Sequence, residues 1–157
     1  MAASPESRLE ALGIKLPATP APAGAYVPAI RAGNLVFTAG QLPLEAGELT
    51  VRGKVGDAVG VDEASEAARL CAMNALAAAA TQTGGLAGIS RIVKVTGFVA
   101  SAPDFNGQPQ VLNGASEILG DIFGDAGLHA RSAVGVAELP MNAPVEVELV
   151  VETTIDV

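Results

Sequence analysis

Residues 127–151 read GLHARSAVGVAELPMNAPVEVELVV, and this stretch predicts two β-strands joined by a Leu-Pro turn. Arg131 stands at the head of the first strand, and Glu146 and Glu148 lie on the second. Side chains alternate between the two faces of a strand, so the second strand has one acidic face and one apolar face. Arginine suits two-point recognition of a carboxylate. The segment therefore suggests a pocket for a small anionic metabolite.

The bulk composition of the chain narrows its class. Its 157 residues fit one domain with a real core, and half of them are apolar, mostly alanine and valine. The formal net charge of −8 disfavours nucleic acid as a partner, because phosphate binding depends on clustered lysine and arginine. One cysteine (Cys71) and one histidine (His129) supply neither an internal disulfide nor a metal-ligand set. We expect no metal and no cofactor, and we expect Cys71 to be buried and inert.

The N-terminal segment is predicted to be an arm. Residues 5–12 suit a short helix with Ser4 as its N-cap and Pro5 at its first position, and the three prolines in residues 16–24 predict an extended linker. We divide the chain into this arm, residues 1–24, and a domain formed by residues 25–157, and we expect residues 5–24 to pack on the outside of that domain. The segment has no basic-then-apolar signal pattern, and no apolar run is long enough to span a membrane, so we expect a cytoplasmic protein with no membrane partner.

The remaining elements follow from hydrophobic periodicity and turn residues. The pattern predicts a hairpin around Gly33-Asn34, a long loop over residues 43–60 with one short strand near 49–51, a helix over 61–83 capped by Asp62, and a second helix over 109–123. Strands are predicted at residues 25–32, 34–39, 89–99, 131–137 and 145–154. This order predicts an α+β domain in which one mixed sheet carries two long helices on one face. Self-association would cover the other face, which would otherwise expose a large apolar patch.

Several short segments form a combined pattern along the chain. They are residues 25–27 (AYV), 35–43 (LVFTAGQLP), 93–99 with Asp104 and Phe105, Asn113 with Glu117, 130–132 (ARS), 139–140 (LP) and 145–148 (VEVE). Together they resemble the RidA/YjgF family of reactive-intermediate (imine) deaminases. The resemblance runs from about residue 24 to the end, and its most specific part is the register of Arg131, Leu139-Pro140 and Glu146.

The resemblance implies a chorismate-mutase-like fold and a homotrimer with three clefts between subunits. The chain also departs from the family pattern. It carries the N-terminal arm and a glycine-rich insertion near residues 45–60. Ala39 replaces the serine that usually precedes Gly-Gln, and Ala133 replaces a cysteine that many members carry. These differences bear on the substrate more than on the fold.

The resemblance assigns the central roles to two charged residues. It implies that Arg131 binds the substrate carboxylate, with a structural ion pair to Glu146 or Glu148 at a subunit interface as the alternative. It implies that Glu146 orients or activates a water molecule, although a solvated strand face would explain the same pattern.

Four further residues would line the cleft by the same resemblance. Tyr26 would contribute its ring, although a core anchor is the alternative, and Gly40 and Gln41 would contribute backbone groups, although they could equally end a strand. Asn113 would donate a side-chain hydrogen bond, or it is an ordinary polar helix position.

His129 could act as an acid or base, since histidine changes charge near neutral pH. However, we expect a structural or solvent role, because His129 is the only histidine and has no evident nucleophile partner. Ser116 and Ser132 are expected to lack the histidine and carboxylate context of an activated nucleophile.

The resemblance implies a hydrolase that acts on small 2-imino or 2-enamino acids and releases ammonia and a 2-keto acid. The alternative is a trimeric protein of the same fold that binds a small carboxylate without turnover. A ribonuclease activity is disfavoured by the acidic charge and the scarcity of aromatic residues, since binding of single-stranded RNA uses basic grooves and stacking rings.

Overall fold

A mixed five-stranded sheet and two long helices form the centre of the fold in the computed structural model, which describes residues 2–154. The elements in chain order are α1 (Pro5–Ala11), β1 (Ala29–Ala32), β2 (Leu35–Thr38), β3 (Leu44–Glu45), β4 (Glu48–Leu49), α2 (Val61–Thr83), β5 (Ile89–Ala100), α3 (Gln108–Phe123), β6 (Ala130–Val136) and β7 (Val145–Thr153). Short 3₁₀ turns at Leu86–Gly88, Gly124–Gly127 and Pro140–Asn142 connect them.

The sheet has the strand order β1-β2-β7-β5-β6. All neighbours are antiparallel except β5 and β6, which are parallel and are connected through α3. Because a parallel connection must cross the sheet, α3 lies over β5 and β6, while α2 covers β7, β1 and β2. The predicted α+β architecture, with one mixed sheet and both long helices on one face, is confirmed.

Alternation along β7 divides the two faces of the sheet. Val145, Val147, Leu149 and Val151 are fully buried or nearly so and pack under the helices. Glu146, Glu148 and Glu152 are only partly buried and point to the opposite side. We call that opposite side the open face. It also carries exposed apolar side chains, namely Ile30 (60% exposed), Phe37 (41%) and Val134 (43%).

Helix α2 occupies the predicted residues and packs through small side chains. Its buried positions are mostly alanine, with Cys71 and Leu76 among them. Gly84, in the left-handed conformation at φ 71°, ends the helix. Cys71 is buried as predicted, and burial is the main cause that raises the pKa of its thiol. The predicted cap is wrong: Gly60 is the N-cap without a side-chain hydrogen bond, and Asp62 lies inside the first turn.

The N-terminal arm packs against the helical layer. Ser4 caps α1 by accepting a hydrogen bond from the backbone N–H of Ser7, as predicted. Leu9 enters the core at 5% exposure, and the Glu6 carboxylate accepts a hydrogen bond from the Ala87 N–H at 2.8 Å. Thr19 donates to the Ala77 carbonyl of α2. These contacts place the arm on the helical side of the molecule. The division of the chain into an arm of residues 1–24 and a domain of residues 25–157 stays a prediction.

Two segments differ from the sequence predictions. The first strand begins at Ala29 rather than residue 25, since its partner β2 is only four residues long and its register starts with Ala29 opposite Thr38. Residues 43–60 were predicted to be a long loop with one short strand near residues 49–51. Strand β4 overlaps that prediction at Leu49, but its partner β3 was not predicted, and the two pair as a hairpin. Ala46 and Gly47 both have positive φ, 50° and 83°, which is the geometry of a tight hairpin turn.

None of the helices within residues 2–154 combines the length and apolar character needed to cross a bilayer.

Candidate functional site

Arg131 lies on the helical side of β6, the edge strand of the sheet, and reaches α3. Its Nη1 donates to Asn113 Oδ1 at 2.9 Å and to Ser116 Oγ at 3.1 Å, and its Nη2 donates to the Pro109 carbonyl at 3.3 Å. Asn113 and Ser116 are three residues apart on one helix edge, so both can face the same strand residue. The structure therefore brings together two of the predicted site residues, Arg131 and Asn113.

His129 extends this cluster from the turn that leads into β6. Its Nδ1 lies 2.6 Å from the Gly127 carbonyl oxygen, and its Nε2 lies 2.9 Å from Ser116 Oγ. The expectation that Ser116 has no histidine context is therefore wrong. The two residues are 13 positions apart in the chain, and α3 folds back along the parallel β6 to make them neighbours. We call Asn113, Ser116, His129 and Arg131 the Arg131 cluster.

The guanidinium of Arg131 faces only neutral acceptors. Among residues 2–154 the one salt bridge joins Lys54 to Glu138, so no carboxylate pairs with Arg131. Arg131 forms no ion pair with Glu146 or Glu148 of its own chain, and the alternative of such an ion pair at a subunit interface stays a prediction. A guanidinium has five N–H donors, and the three contacts to α3 leave two of them for a ligand. The cluster is therefore a partly buried cation that lacks an anion.

Glu146 lies on the open face beside Gly40. A Cβ at Gly40 would collide with the Glu146 carboxylate, so glycine is required for this close approach. Burial raises the pKa of Glu146, and the nearby charge of Glu148 raises it further. A raised pKa brings a carboxyl group closer to the range in which it can exchange protons at neutral pH.

Arg131 and Glu146 occupy opposite faces of the same sheet. Arg131 is paired with the buried Val95, whereas Glu146 is opposite Phe98, three residues further along β5. An odd separation along a strand places side chains on different faces. One chain alone therefore does not bring these two predicted site residues together.

The other predicted site residues are placed as follows. Gln41 is buried and bridges to Val147 through two backbone hydrogen bonds, next to Gly40 and Glu146. Tyr26 is 50% exposed, and its hydroxyl accepts a hydrogen bond from the Ala23 N–H, which excludes the alternative of a core anchor. Within residues 2–154, neither Tyr26 nor Gln41 forms a hydrogen bond with the Arg131 cluster.

A groove lies elsewhere, between the arm, the β3–β4 hairpin and α2. Its volume is about 1030 Å³. Lys15, Arg69, Glu63 and Glu66 line it, and this mixture of both charge signs favours no single class of ligand. The Arg131 cluster differs from the groove because it carries one unbalanced positive charge.

Sequence and structure comparisons identify the relatives of the chain. The sequence model of the family described as "YjgF/chorismate mutase-like, putative endoribonuclease" matches residues 6–153. Protein TCP17 of Trypanosoma cruzi is 42% identical over 147 residues, covering 93% of this chain and 92% of that protein. A 2-iminobutanoate/2-iminopropanoate deaminase of Dermatophagoides farinae is 34% identical over 140 residues, covering 88% of this chain and 93% of its own length.

The fold itself has a close counterpart among solved structures. A crystallised protein of unknown function from Agrobacterium tumefaciens superposes with a TM-score of 0.87 at 45% identity, covering 96% of this chain and 92% of that one. The family match covers nearly the whole chain, and it agrees with the resemblance carried by the strands around Arg131 and Glu146. On these grounds the chain belongs to the RidA/YjgF family.

Proposed function

We propose that the protein is an enamine/imine deaminase that hydrolyses small 2-imino or 2-enamino acids to ammonia and 2-keto acids. The observation that carries this proposal is the guanidinium of Arg131, which is partly buried, uncompensated by any acidic group of residues 2–154, and left with two free N–H donors. In a chain of net charge −8, such a cation is suited to a carboxylate ligand. The relative named as an imine deaminase supports the reaction class.

The proposed chemistry needs positioning more than a covalent nucleophile. An imine carbon is already electrophilic, so holding the carboxylate at Arg131 and a water molecule near the carbon would accelerate attack. In this proposal Glu146 orients that water, and Gly40 and Gln41 shape the wall on which the carboxylate of Glu146 rests. Addition of water gives a carbinolamine, whose collapse expels ammonia and leaves the 2-keto acid.

We further propose that the site lies between chains of a homotrimer. The sheet separates Arg131 from Glu146 within one chain, so the two can share a site only if a second copy brings its open face to the β6 edge. The apolar residues of the open face supply the surface for such an assembly.

A coupled ammonia-release assay tests the reaction. The substrate is 2-aminoacrylate generated freshly by a pyridoxal-phosphate dehydratase, and we expect ammonia release above the buffer rate. Loss of a charge-assisted hydrogen bond costs about 1.5–3 kcal/mol, so Arg131→Lys should lower kcat/KM by at least about tenfold. Arg91→Lys is the matched control, because Arg91 is an exposed arginine of β5, and it should leave the rate unchanged.

The second candidate function is a binding protein without turnover. The separation of Arg131 and Glu146 favours it, since one chain holds the anion-binding group without the group that would place water. Binding of a 2-keto acid by the wild type, lost in Arg131→Lys, together with a wild-type ammonia rate no higher than buffer, would establish the binder and reject the deaminase.

A further inference from the structure

We propose that Ser116 and His129 form the proton shuttle of the Arg131 site. This inference rests on the proposed deaminase function and adds to it the groups that move protons. In the shuttle, Ser116 Oγ is the catalytic group that meets the substrate, and His129 is the positioning residue that stores the proton behind it. The hydrogen-bonded series runs from the Gly127 carbonyl through the imidazole and the Ser116 hydroxyl to the Arg131 guanidinium.

The hydrogen-bond network assigns the proton positions. A carbonyl oxygen can only accept, so the contact to Gly127 requires a proton on Nδ1 of His129. Nε2 of a neutral imidazole is then an acceptor, and the Ser116 hydroxyl donates to it across 2.9 Å. Arg131 is always a donor, so Ser116 Oγ accepts from Nη1. Each group in the series therefore has one consistent donor or acceptor role. Ser116 supplies the hydroxyl, His129 is its base, and the Gly127 carbonyl orients the imidazole, as in other sites where a base activates a hydroxyl.

Ser116 has one interaction still available. A hydroxyl has one donor and two acceptor lone pairs, and the network uses the donor and one lone pair. The second lone pair can accept a proton from a water molecule. The free donors of Arg131 belong to Nη2 and Nε, and Ser116 Oγ lies 3.1 Å from Nη1 of the same guanidinium. In this proposal, a carboxylate on those free donors has its imine carbon beside Ser116 Oγ.

The proposed reaction has two steps, addition of water to the iminium carbon and loss of ammonia. The water oxygen forms a bond to the iminium carbon, the C=N π electrons move to nitrogen, and one water proton passes to Ser116 Oγ as the original hydroxyl proton moves to Nε2 of His129. The same path then runs in reverse and protonates the amino nitrogen of the carbinolamine. The C–N bond breaks with its electron pair on nitrogen, the C=O bond forms, and the remaining hydroxyl proton leaves with ammonia as ammonium. Iminium and water thus give ketone and ammonium.

The surroundings of the pair favour this assignment. The charged residues on the elements packed around His129 are Arg131 on β6, Arg91 and Lys94 on β5, Glu117 and Asp121 on α3, and Asp125 in the turn before it. None of the carboxylates forms a salt bridge within residues 2–154 with His129 or Arg131. Glu146 lies on the other face of the sheet, so His129 is the titratable group that the Arg131 side of the site can use through Ser116.

A nuclear magnetic resonance measurement on the wild type tests the geometry without any variant. His129 is the only histidine, so imidazole ¹⁵N resonances of an untagged, ¹⁵N-labelled chain report on it alone. We expect the neutral tautomer with the proton on Nδ1. A neutral ring protonated on Nε2 would overturn the shuttle, since Nε2 could not then accept from Ser116.

Kinetics of three variants test the role. General acid–base groups contribute roughly 10²–10⁴-fold, so His129→Gln and Ser116→Ala should each lower kcat about 10²-fold while KM changes much less. Ser90→Ala is the matched control, because that serine is also partly buried and hydrogen-bonded but lies at the far end of β5. It should keep the wild-type kcat.

The pH profile separates proton transfer from a structural role. If His129 accepts the proton during turnover, wild type and His129→Gln should differ in the pH dependence of kcat, whereas a purely structural role would lower kcat equally at every pH. A wild type that releases ammonia while His129→Gln keeps its full kcat, or keeps the wild-type pH dependence of kcat, rejects the shuttle alone. A wild type without ammonia release rejects the deaminase proposal and the shuttle with it.

Discussion

The carboxyl group of Glu146 is held in an unfavourable environment for a negative charge. It rests against the backbone of Gly40, and both burial and the charge of Glu148 raise its pKa. Groups with such perturbed pKa values are concentrated at functional sites. The family resemblance and the local physics thus point to the same residue, each for its own reason.

This environment predicts the effect of Glu146→Gln on stability. Because the folded chain holds the Glu146 proton to a higher pH than the unfolded chain does, stability falls as pH rises from the unfolded pKa through the raised folded pKa. The isosteric amide removes that loss, so the variant should melt at a higher temperature than wild type near neutral pH. Thermal unfolding followed by circular dichroism at several pH values measures this difference.

The increase in melting temperature of Glu146→Gln over wild type should shrink as pH falls through the folded and then the unfolded pKa of Glu146. It should vanish below about pH 4, where the carboxyl is protonated in the folded and unfolded chains. An increase in melting temperature that stays constant into the acid range would show that the charge of Glu146 is not its cause.

The sequence predicted Arg131 and Asn113 as candidate site residues, but it did not predict the contact between Ser116 and His129. Arg131 could be recognised because a cation at the head of an apolar strand is unusual in an acidic chain. The distance of 2.9 Å between Ser116 and His129 depends on where α3 ends and how the turn Gly124–Gly127 directs the chain into β6. That geometry has no local sequence signal. The same is true of the opposite placement of Arg131 and Glu146, which follows from pairing with β5.

At the scale of elements, α3 shows how a poor helix sequence is stabilised by packing. It contains two glycines, each of which costs about 1 kcal/mol relative to alanine. Gly114 is buried where α3 meets α2, and a Cβ there would collide with the Ser65 carbonyl of α2. Gly120 has no atom within 4 Å of the position of a Cβ. One glycine is therefore required by helix packing, and the other is not.

This contrast predicts opposite effects for the same substitution. Gly120→Ala should stabilise the protein by roughly 0.5–1 kcal/mol through helix propensity. Gly114→Ala should destabilise it, because overpacking typically costs about 1–3 kcal/mol and exceeds the propensity gain. Urea unfolding at one fixed protein concentration, which holds any linkage to assembly constant, measures both. Equal effects of the two variants would contradict the close packing of α3 on α2.

The long elements were predictable, and the short ones were not. Helix α2 agrees with its prediction to the residue, since alanines at three- and four-residue spacing and the glycines after it are strong signals. The β3–β4 hairpin turns through Ala46-Gly47 rather than Asn-Gly, so its turn lacked the usual sequence mark. The N-cap of α2 is Gly60, whose backbone is extended and which has no side chain to form a capping hydrogen bond. The preference of aspartate for N-cap positions therefore predicted the wrong residue, Asp62.

At the scale of the whole molecule, the two faces of the sheet differ in how far they are covered. Ile30, Phe37 and Val134 expose 41–60% of their surface on one side of the sheet, whereas the helices bury the other side. Monomeric proteins rarely expose large contiguous apolar patches. The proposed trimer would cover this surface and would join the Arg131 edge of one chain to Glu146 of another.

We predict that Phe37→Glu disrupts assembly. A charge at this position would have to be buried in the interface, so light scattering coupled to size exclusion should show three chains per particle for wild type and smaller particles for the variant. Leu12→Glu is the matched control, because Leu12 is 44% exposed at the end of α1 on the helical side. A wild-type monomer, or an unaffected Phe37→Glu assembly, would contradict the proposal.

Subunit mixing tests whether the site is shared. Arg131→Ala and Glu146→Gln chains, each with little activity alone, should regain turnover when they are unfolded and refolded together. With random assortment in a ring, about a quarter of the sites would combine an intact Arg131 with an intact Glu146. Activity no greater than the average of the two separate variants would show that both residues act from the same chain.

Tyr26 gives the molecule a built-in optical probe. The chain contains no tryptophan and one tyrosine, so almost all of its ultraviolet emission comes from a single ring, which is half exposed just ahead of β1. A change in that signal on dilution, or on addition of a colourless organic acid, reports on one known position and needs no dye or engineered fluorophore. Few proteins of this length allow such a direct assignment of their intrinsic fluorescence.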